Sequence, residues 1–433
     1  MKKSALYLLL IISCFTQAQT NSLLPYGPHH IGFKKFQTEV KTNATQYSFS
    51  YIYEGKLPLF INVWYPSEQI KKKSMTFGDY TKLPNINSIK KQLEREFMIS
   101  YKHLSDGGYY FNQNTAGWET KNGSVQYIRR FNRLPIPVYK NVKPKPGQFP
   151  TIIYHHSKKG SPFENTVFCE YLASHGFVVI TFNSSFLYYE NEDEEDSYVN
   201  LGYKIPKYDS ELANTLLQNV KLEAVQLPMV NPDQLIFAGY EYGAQVGLFN
   251  KAISYQPSTY ITGTAPPFQL YLNYESTLEF STREEVKQEA PTSFYYATLH
   301  ERTSVKDSLK NAIPTIYFSS LKQESVSDGS QAYYPNFSFF KSIERTPSVF
   351  VTGKEELYKE NTVSDLLLKY HLHTQFEFDD LEKLSQQYQR YLKTLTLTKD
   401  ILEAFLNSKK EMKSLPEKHS KTHQFQFSKG FFK

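Results

Sequence analysis

The chain is poor in cysteine. It holds two in 433 residues, Cys14 and Cys169, so no disulfide framework organises the fold. Beyond the first residues no apolar run is long enough to cross a bilayer. Strong charge of one sign is also missing. Lys and Arg number 49 against 43 Asp and Glu, a formal net charge of +6, and the basic residues are spread along the chain. That pattern reads as a solvated basic surface and gives no nucleic-acid patch. There is no internal repeat. Metal-ligand spacing is absent: the acidic run at 190–196 lacks the periodicity of an EF-hand loop. His371 and His373 fall on one side of an extended segment, but no third ligand accompanies them. No metal and no cofactor is expected.

What remains is ordinary for a large globular protein. Hydrophobic residues make up 40% and charged residues 21% of the sequence, enough to bury a sizeable core. Aromatics are abundant, with 34 Tyr and 32 Phe. They serve a core, or alternatively line a sugar-binding or apolar cleft. The chain opens with Met1-Lys2-Lys3, continues with an apolar run to Cys14 and reaches Ala18-Gln19. A charged start, a short apolar centre and a small residue before the cut describe an export signal, with cleavage expected after Ala18. The alternative is a lipoprotein site that leaves Cys14 lipidated and the protein anchored at the cell surface. The two differ in the mass of the mature chain.

Residues 19–45 read as a strand-poor segment. Residues 46–53 and 59–66 alternate in polarity and suit a hairpin at a sheet edge. Residues 73–140 are polar and uneven, an expected insertion, and 140–149 form a turn-rich connector. A βα rhythm then begins. Strands are expected at 150–155, 177–182 and 235–238, with helices at 165–175 and 209–227; Gly176 closes the first helix. A weak strand at 258–262 and a second insertion at 264–310 follow. Strands at 313–319 and 348–352 come next, then an amphipathic helix at 398–410 carrying Ile401, Leu402, Phe405 and Leu406 on one face. Residues 411–433 read as a Lys-rich tail. The whole predicts one α/β domain over 19–410, a mostly parallel sheet with helices on both faces and the two insertions over its carboxyl edge.

The stretch L-I-F-A-G-Y-E-Y-G-A, residues 235–244, carries the chemistry. Four apolar residues lead into G-x-E-x-G and a helical run, the layout of a nucleophile elbow. Gly239 and Gly243 supply the small flanks that a sharp strand-to-helix turn requires. The centre carries Glu241, between Tyr240 and Tyr242.

Four segments resemble secreted platelet-activating-factor acetylhydrolase-like and dienelactone-hydrolase-like proteins of the α/β-hydrolase superfamily. They are L-P-L-F-I-N-V-W-Y-P at 57–66, F-P-T-I-I-Y-H-H at 149–156, L-A-S-H-G-F-V-V at 172–179 and the approach N-P-D-Q-L-I-F-A-G at 231–239. The resemblance spans roughly residues 57–410. It implies an α/β-hydrolase fold and, in active members, ester hydrolysis by Ser, His and Asp. His175 falls at a structural helix-end position of that pattern.

The same resemblance assigns the site residue by residue. Glu241 stands at the nucleophile position. His155 and His156 stand where the family keeps a flexible His-Gly for the oxyanion hole, and Tyr242 offers a second backbone N–H. Glu324 is the candidate for the acid. Glu355 stands near the base position, where no His is found. A Ser nucleophile without a base cannot be activated, and a carboxylate beside the hole repels an oxyanion. The expectation is a secreted pseudo-hydrolase that acts by binding an unidentified small molecule or extracellular partner. An active ester or acyl hydrolase with unorthodox residues is the second reading, and a surface-anchored binding lipoprotein the third. The sequence leaves the oligomeric state open. A carboxylate at the floor of a cleft needs a cation, and the expected partner of Glu241 is His155 or His156, with Lys354, Lys158 and Lys159 as alternatives.

Overall fold

The computed structural model describes residues 25–41, 56–68, 72–82, 133, 135–156, 162–183, 207–240, 242–254, 265–274, 278–279, 313–320, 332–333, 347–353, 381–408, 410–428 and 431–432. The strands are β1 (His30–Lys41), β2 (Lys56–Ser67), β3 (Val138–Lys140), β4 (Phe149–His155), β5 (Val178–Phe182), β6 (Val230–Tyr240), β7 (Leu270–Tyr274), β8 (Leu278–Glu279), β9 (Thr315–Ser320), β10 (Ala332–Tyr333), β11 (Ser348–Gly353) and β12 (His423–Phe427). The helices are α1 (Gly78–Thr81), α2 (Thr166–Ser174), α3 (Lys207–Val225), α4 (Tyr242–Ser254), α5 (Leu381–Asn407) and α6 (Leu415–Lys418).

Ten strands form one sheet in the order β12-β11-β9-β7-β6-β4-β5-β2-β1-β3, and β8 pairs with β10 apart from it. The six central strands, from β5 to β11, run parallel. β2 and β12 flank them antiparallel. Such strands are buried on both faces, which is why they read as runs of Val, Ile and Phe. Along β6, Ile236 and Ala238 face one core and Leu235 and Phe237 the other. The first core is covered by α2 and α5 through Phe168, Leu172 and Leu395. The second is covered by α3 and α4 through Leu217, Val220 and Val246. Gly176, at φ +98°, ends α2 in the left-handed region as a C-cap glycine does. A parallel sheet wrapped on both faces, with a strand-turn-helix elbow at its centre, is the α/β-hydrolase fold.

Several local expectations are corrected. The strand-poor N-terminal segment contains β1, which pairs with β2 along its whole length from His30 opposite Ser67 to Lys41 opposite Lys56; β1, rather than 46–53, is the hairpin partner, and 46–53 lies outside the described residues. Both ends of the region 73–140 belong to the sheet and core. Met75 accepts the Ile136 N–H and donates to the Val138 carbonyl, Phe77 and Tyr80 are fully buried, and β3 extends the edge beside β1. β7 lies within the stretch assigned to the second insertion, yet it fills the centre of the sheet between β6 and β9. The expected strand at 258–262 lies outside the described residues. The final helix is longer than its amphipathic stretch and spans Leu381–Asn407. The Lys-rich tail is not a tail: β12 completes the sheet against β11.

A buried polar chain ties the N-terminal elements to α2. Trp64 Nε1 donates to the Tyr80 hydroxyl at 2.8 Å, and that hydroxyl donates to Glu170 Oε1 at 2.8 Å. Tyr26 donates to Glu170 Oε2, also at 2.8 Å. Removing the middle oxygen takes the acceptor from the buried Trp64 N–H and a donor from Glu170. Tyr80→Phe should therefore destabilise the protein by about 2–3 kcal/mol, measured by urea unfolding. A change below about 0.5 kcal/mol would show that the chain is replaceable.

Candidate functional site

The strand order reverses beside β4: β5 lies on one side of it and β6 on the other. In open α/β sheets ligands bind at the carboxyl ends of strands at such a point. His155 ends β4 and pairs in register with Gly239 of β6, which in turn pairs with Asn273 of β7. A single residue, Glu241, separates the end of β6 at Tyr240 from the start of α4 at Tyr242. Glu241 itself lies outside the described residues.

The elbow depends on its two glycines. A Cβ on Gly239 would lie 2.5 Å from the Gly243 carbonyl oxygen and 2.6 Å from the Ala244 nitrogen. A Cβ on Gly243 would lie 2.8 Å from the carbonyl carbon of His155 and 2.9 Å from the His156 oxygen. All of these neighbours are backbone. The first turn of α4 therefore rests directly on the end of β4. The Tyr242 N–H belongs to that first turn, where a helix offers no internal acceptor.

His155 is fully buried. Its Nδ1 donates to the His156 carbonyl at 2.9 Å, which fixes the proton on Nδ1. Its ring stacks on His156 at 5.4 Å and meets Phe182 edge-on at 5.3 Å. Burial, and secondarily the neighbouring His156, push its pKa down to about 3. His155 is thus neutral at every ordinary pH, and the expected pairing of Glu241 with His155 or His156 lies outside the described residues because Glu241 does. His156 is buried too, so the position where the resemblance expects a flexible glycine is filled by a packed ring. Lys354, Lys158 and Lys159 lie outside the described residues. So do Glu324 and Glu355, although β9 ends at Ser320 and β11 at Gly353, just ahead of them.

The structure adds residues that the sequence did not single out. Tyr154, one before His155, donates to Glu164 Oε1 at 2.8 Å, and both are buried. Burial and the adjacent Glu164 carboxylate hold the Tyr154 hydroxyl well above the usual tyrosine range. Asn183, just past β5, accepts the Phe60 N–H at 2.6 Å. Asn165 accepts from Tyr391 of α5 at 2.6 Å, and Tyr274 shares a proton with Thr398 at 2.8 Å. Asn273 is fully buried, and among the described residues neither of its amide atoms has a hydrogen-bond partner. The sequence signal for these was slight: they are single polar residues near the ends of apolar strands, at the start of α2 or on α5. Among the described residues no group of three or more His, Cys, Asp or Glu is placed to hold a metal, and no helix is long and apolar enough to cross a membrane.

The chain matches no protein-family model. No curated protein sequence matches it either. Among solved structures, it is similar to a ferulic acid esterase from Streptomyces cinnamoneus, at 10% identity over 76% of this chain and 75% of that one, with a TM-score of 0.43. Esterase B from Lactobacillus rhamnosis is 11% identical over 93% of this chain and 99% of its own, with a TM-score of 0.35. A structure described among two fungal esterases from Rhizomucor miehei is 9% identical over 86% and 85%, with a TM-score of 0.39. Likenesses at this level carry no chemistry from one protein to the other.

Proposed function

We propose that this protein is an exported pseudo-hydrolase of the platelet-activating-factor acetylhydrolase-like and dienelactone-hydrolase-like kind, which acts by binding. One observation carries the reading: Gly239 of β6 lies against Gly243 and Ala244 of α4, and Gly243 lies against the end of β4 at His155, the close approach an elbow requires, while the residue between β6 and α4 is Glu241. His155 is a poor substitute for the missing base, because burial pushes its pKa down to about 3 and leaves it weakly basic. Acyl transfer needs a nucleophile, a base and a hole for the oxyanion. In enzymes that use this set, loss of one member alone costs several orders of magnitude in rate. The ligand would enter at the carboxyl ends of β4 and β6.

Hydrolysis of short-chain aryl esters by the full purified chain tests this. The rate is expected to equal that of a buffer and albumin control. Glu241→Ser should not raise it, since the sequence holds no His at the position where the resemblance expects the base to take the new hydroxyl's proton. Wild-type turnover that vanishes in Glu241→Gln would establish the carboxylate as a nucleophile and reinstate the enzyme.

A further inference from the structure

Among the described residues, Asn273 alone leaves two buried side-chain polar atoms without a hydrogen-bond partner, and it is 0% exposed. Its neighbours along β7 fix where it points. Leu270, Leu272 and Tyr274 pack in the core under α2 and α5, and Tyr271 packs in the core under α3 and α4. Side chains alternate along a strand, so Asn273 shares the face of Tyr271. β7 ends at Tyr274, which makes Asn273 the last side chain of that strand on the α4 face. It lies in register with Gly239 of β6. Gly239 is likewise the last residue of β6 on that face, because Tyr240 belongs to the opposite core.

On the Gly239 side, Asn273 therefore meets no side chain from β6. What lies there is the first turn of α4: a Cβ on Gly239 would sit 2.6 Å from the Ala244 nitrogen. Further down the same face Tyr271 donates to Asn250 Oδ1 of α4 at 2.9 Å, so α4 runs over β7 from its first turn onward. The amide of Asn273 is thus aimed at the N-terminal end of a 13-residue helix, where the first N–H groups have no acceptor within the helix and the dipole is positive. An unbonded carboxamide in a dry place weakens a fold, and an apolar side chain of similar size would not.

We propose that Asn273 is the anchor for a lactam or primary carboxamide group of the ligand; this rests on the entry at the carboxyl ends of β4 and β6 given above. The chemistry selects the class. Asn273 offers a C=O acceptor and an N–H donor on one planar edge, and exchanging the two amide atoms leaves both open. The matching group carries a carbonyl oxygen, which also suits the positive end of α4, with an N–H on the same edge. A lactam and a primary carboxamide have both. An ester has the oxygen but no N–H, so one atom of Asn273 stays unbonded. A carboxylate has two acceptors, one of which faces Oδ1. A trans secondary amide holds its N–H and C=O on opposite edges.

Pyrrolidinone, a five-membered lactam, and butyrolactone, the ester with the same ring, separate these chemistries on the full chain. Unfolding midpoints are read while each is titrated. Pyrrolidinone should raise the wild-type midpoint saturably, with an affinity at least about tenfold above that of butyrolactone. Asn273→Leu should bind the two equally or not at all. Wild-type protein that binds both equally, or that does not bind pyrrolidinone, overturns the proposal. So does a tenfold preference that survives in Asn273→Leu. If that variant does not fold, Asn273→Ala makes the same comparison. The two failures stay apart: ring opening of butyrolactone by the wild type counts against the non-catalytic reading, whereas loss of the lactam preference counts against Asn273 as the anchor.

Discussion

Gly243→Ala should destabilise the protein by more than about 3 kcal/mol, at the upper end of what a single added methyl does. The new Cβ meets the backbone of His155 and His156, with the nearer atoms inside 3 Å. No side chain lies in that direction to swing aside. α4 must lift from the end of β4, and its neighbour Gly239 is equally committed, since its own Cβ position is taken by Gly243 and Ala244. Gly147→Ala is the control. It has φ +114° and nothing within 4 Å of the added atom, so only backbone strain applies, about 1–2 kcal/mol. Urea unfolding of both variants separates contact from strain. Equal costs for the two would mean that the elbow is looser than the structure shows.

Acid should weaken the central sheet through His155. The folded-state pKa is lowered to about 3, against an unfolded value near 6.5. The sign is fixed by which state binds the proton. Below about 6.5 the unfolded chain takes it and the folded chain does not, so stability falls as pH falls, by about 1.4 kcal/mol per unit, and levels off near pH 3. From pH 6.5 to 4.5 that is about 2 kcal/mol, a large share of the 5–15 kcal/mol a domain usually has. His155→Asn keeps a donor for the His156 carbonyl and removes the titration. The variant should start less stable at pH 7.5 because of the cavity, and should lose about one proton less of pH dependence over this window. Unfolding midpoints read at both pH values for both proteins check this. Parallel wild-type and variant profiles would show that the His155 site is wetter than its burial implies.

His155 sits under the elbow, in the middle of six parallel strands, so its protonation is a matter for the whole domain.

Strands β4, β5, β6, β9 and β11 could be read from the sequence because a strand buried on both faces needs apolar residues at every position, which no other short segment requires. The elbow was legible for a similar reason: its two glycines are a steric demand four residues apart. Other elements were set by partners distant in the chain. β1 carries Lys34 and Lys35, which speak against a strand. Yet the Lys35 ammonium is taken by the carbonyls of Tyr80 and Lys82 and lies 5.3 Å from the Phe163 ring centre, so a cation is accepted on an inward face. β7 is five residues, with Asn273 and two tyrosines among them; only its place between β6 and β9 makes it central. β12 lies in a Lys-rich stretch and is a strand because β11 has a free edge and Asp400 gathers the neighbouring cations. The sequence by itself determined the parallel centre, the elbow and the identity of Glu241. The tertiary structure decided the sheet's edges and the charge state of His155, since pairing and desolvation depend on what the rest of the chain brings alongside.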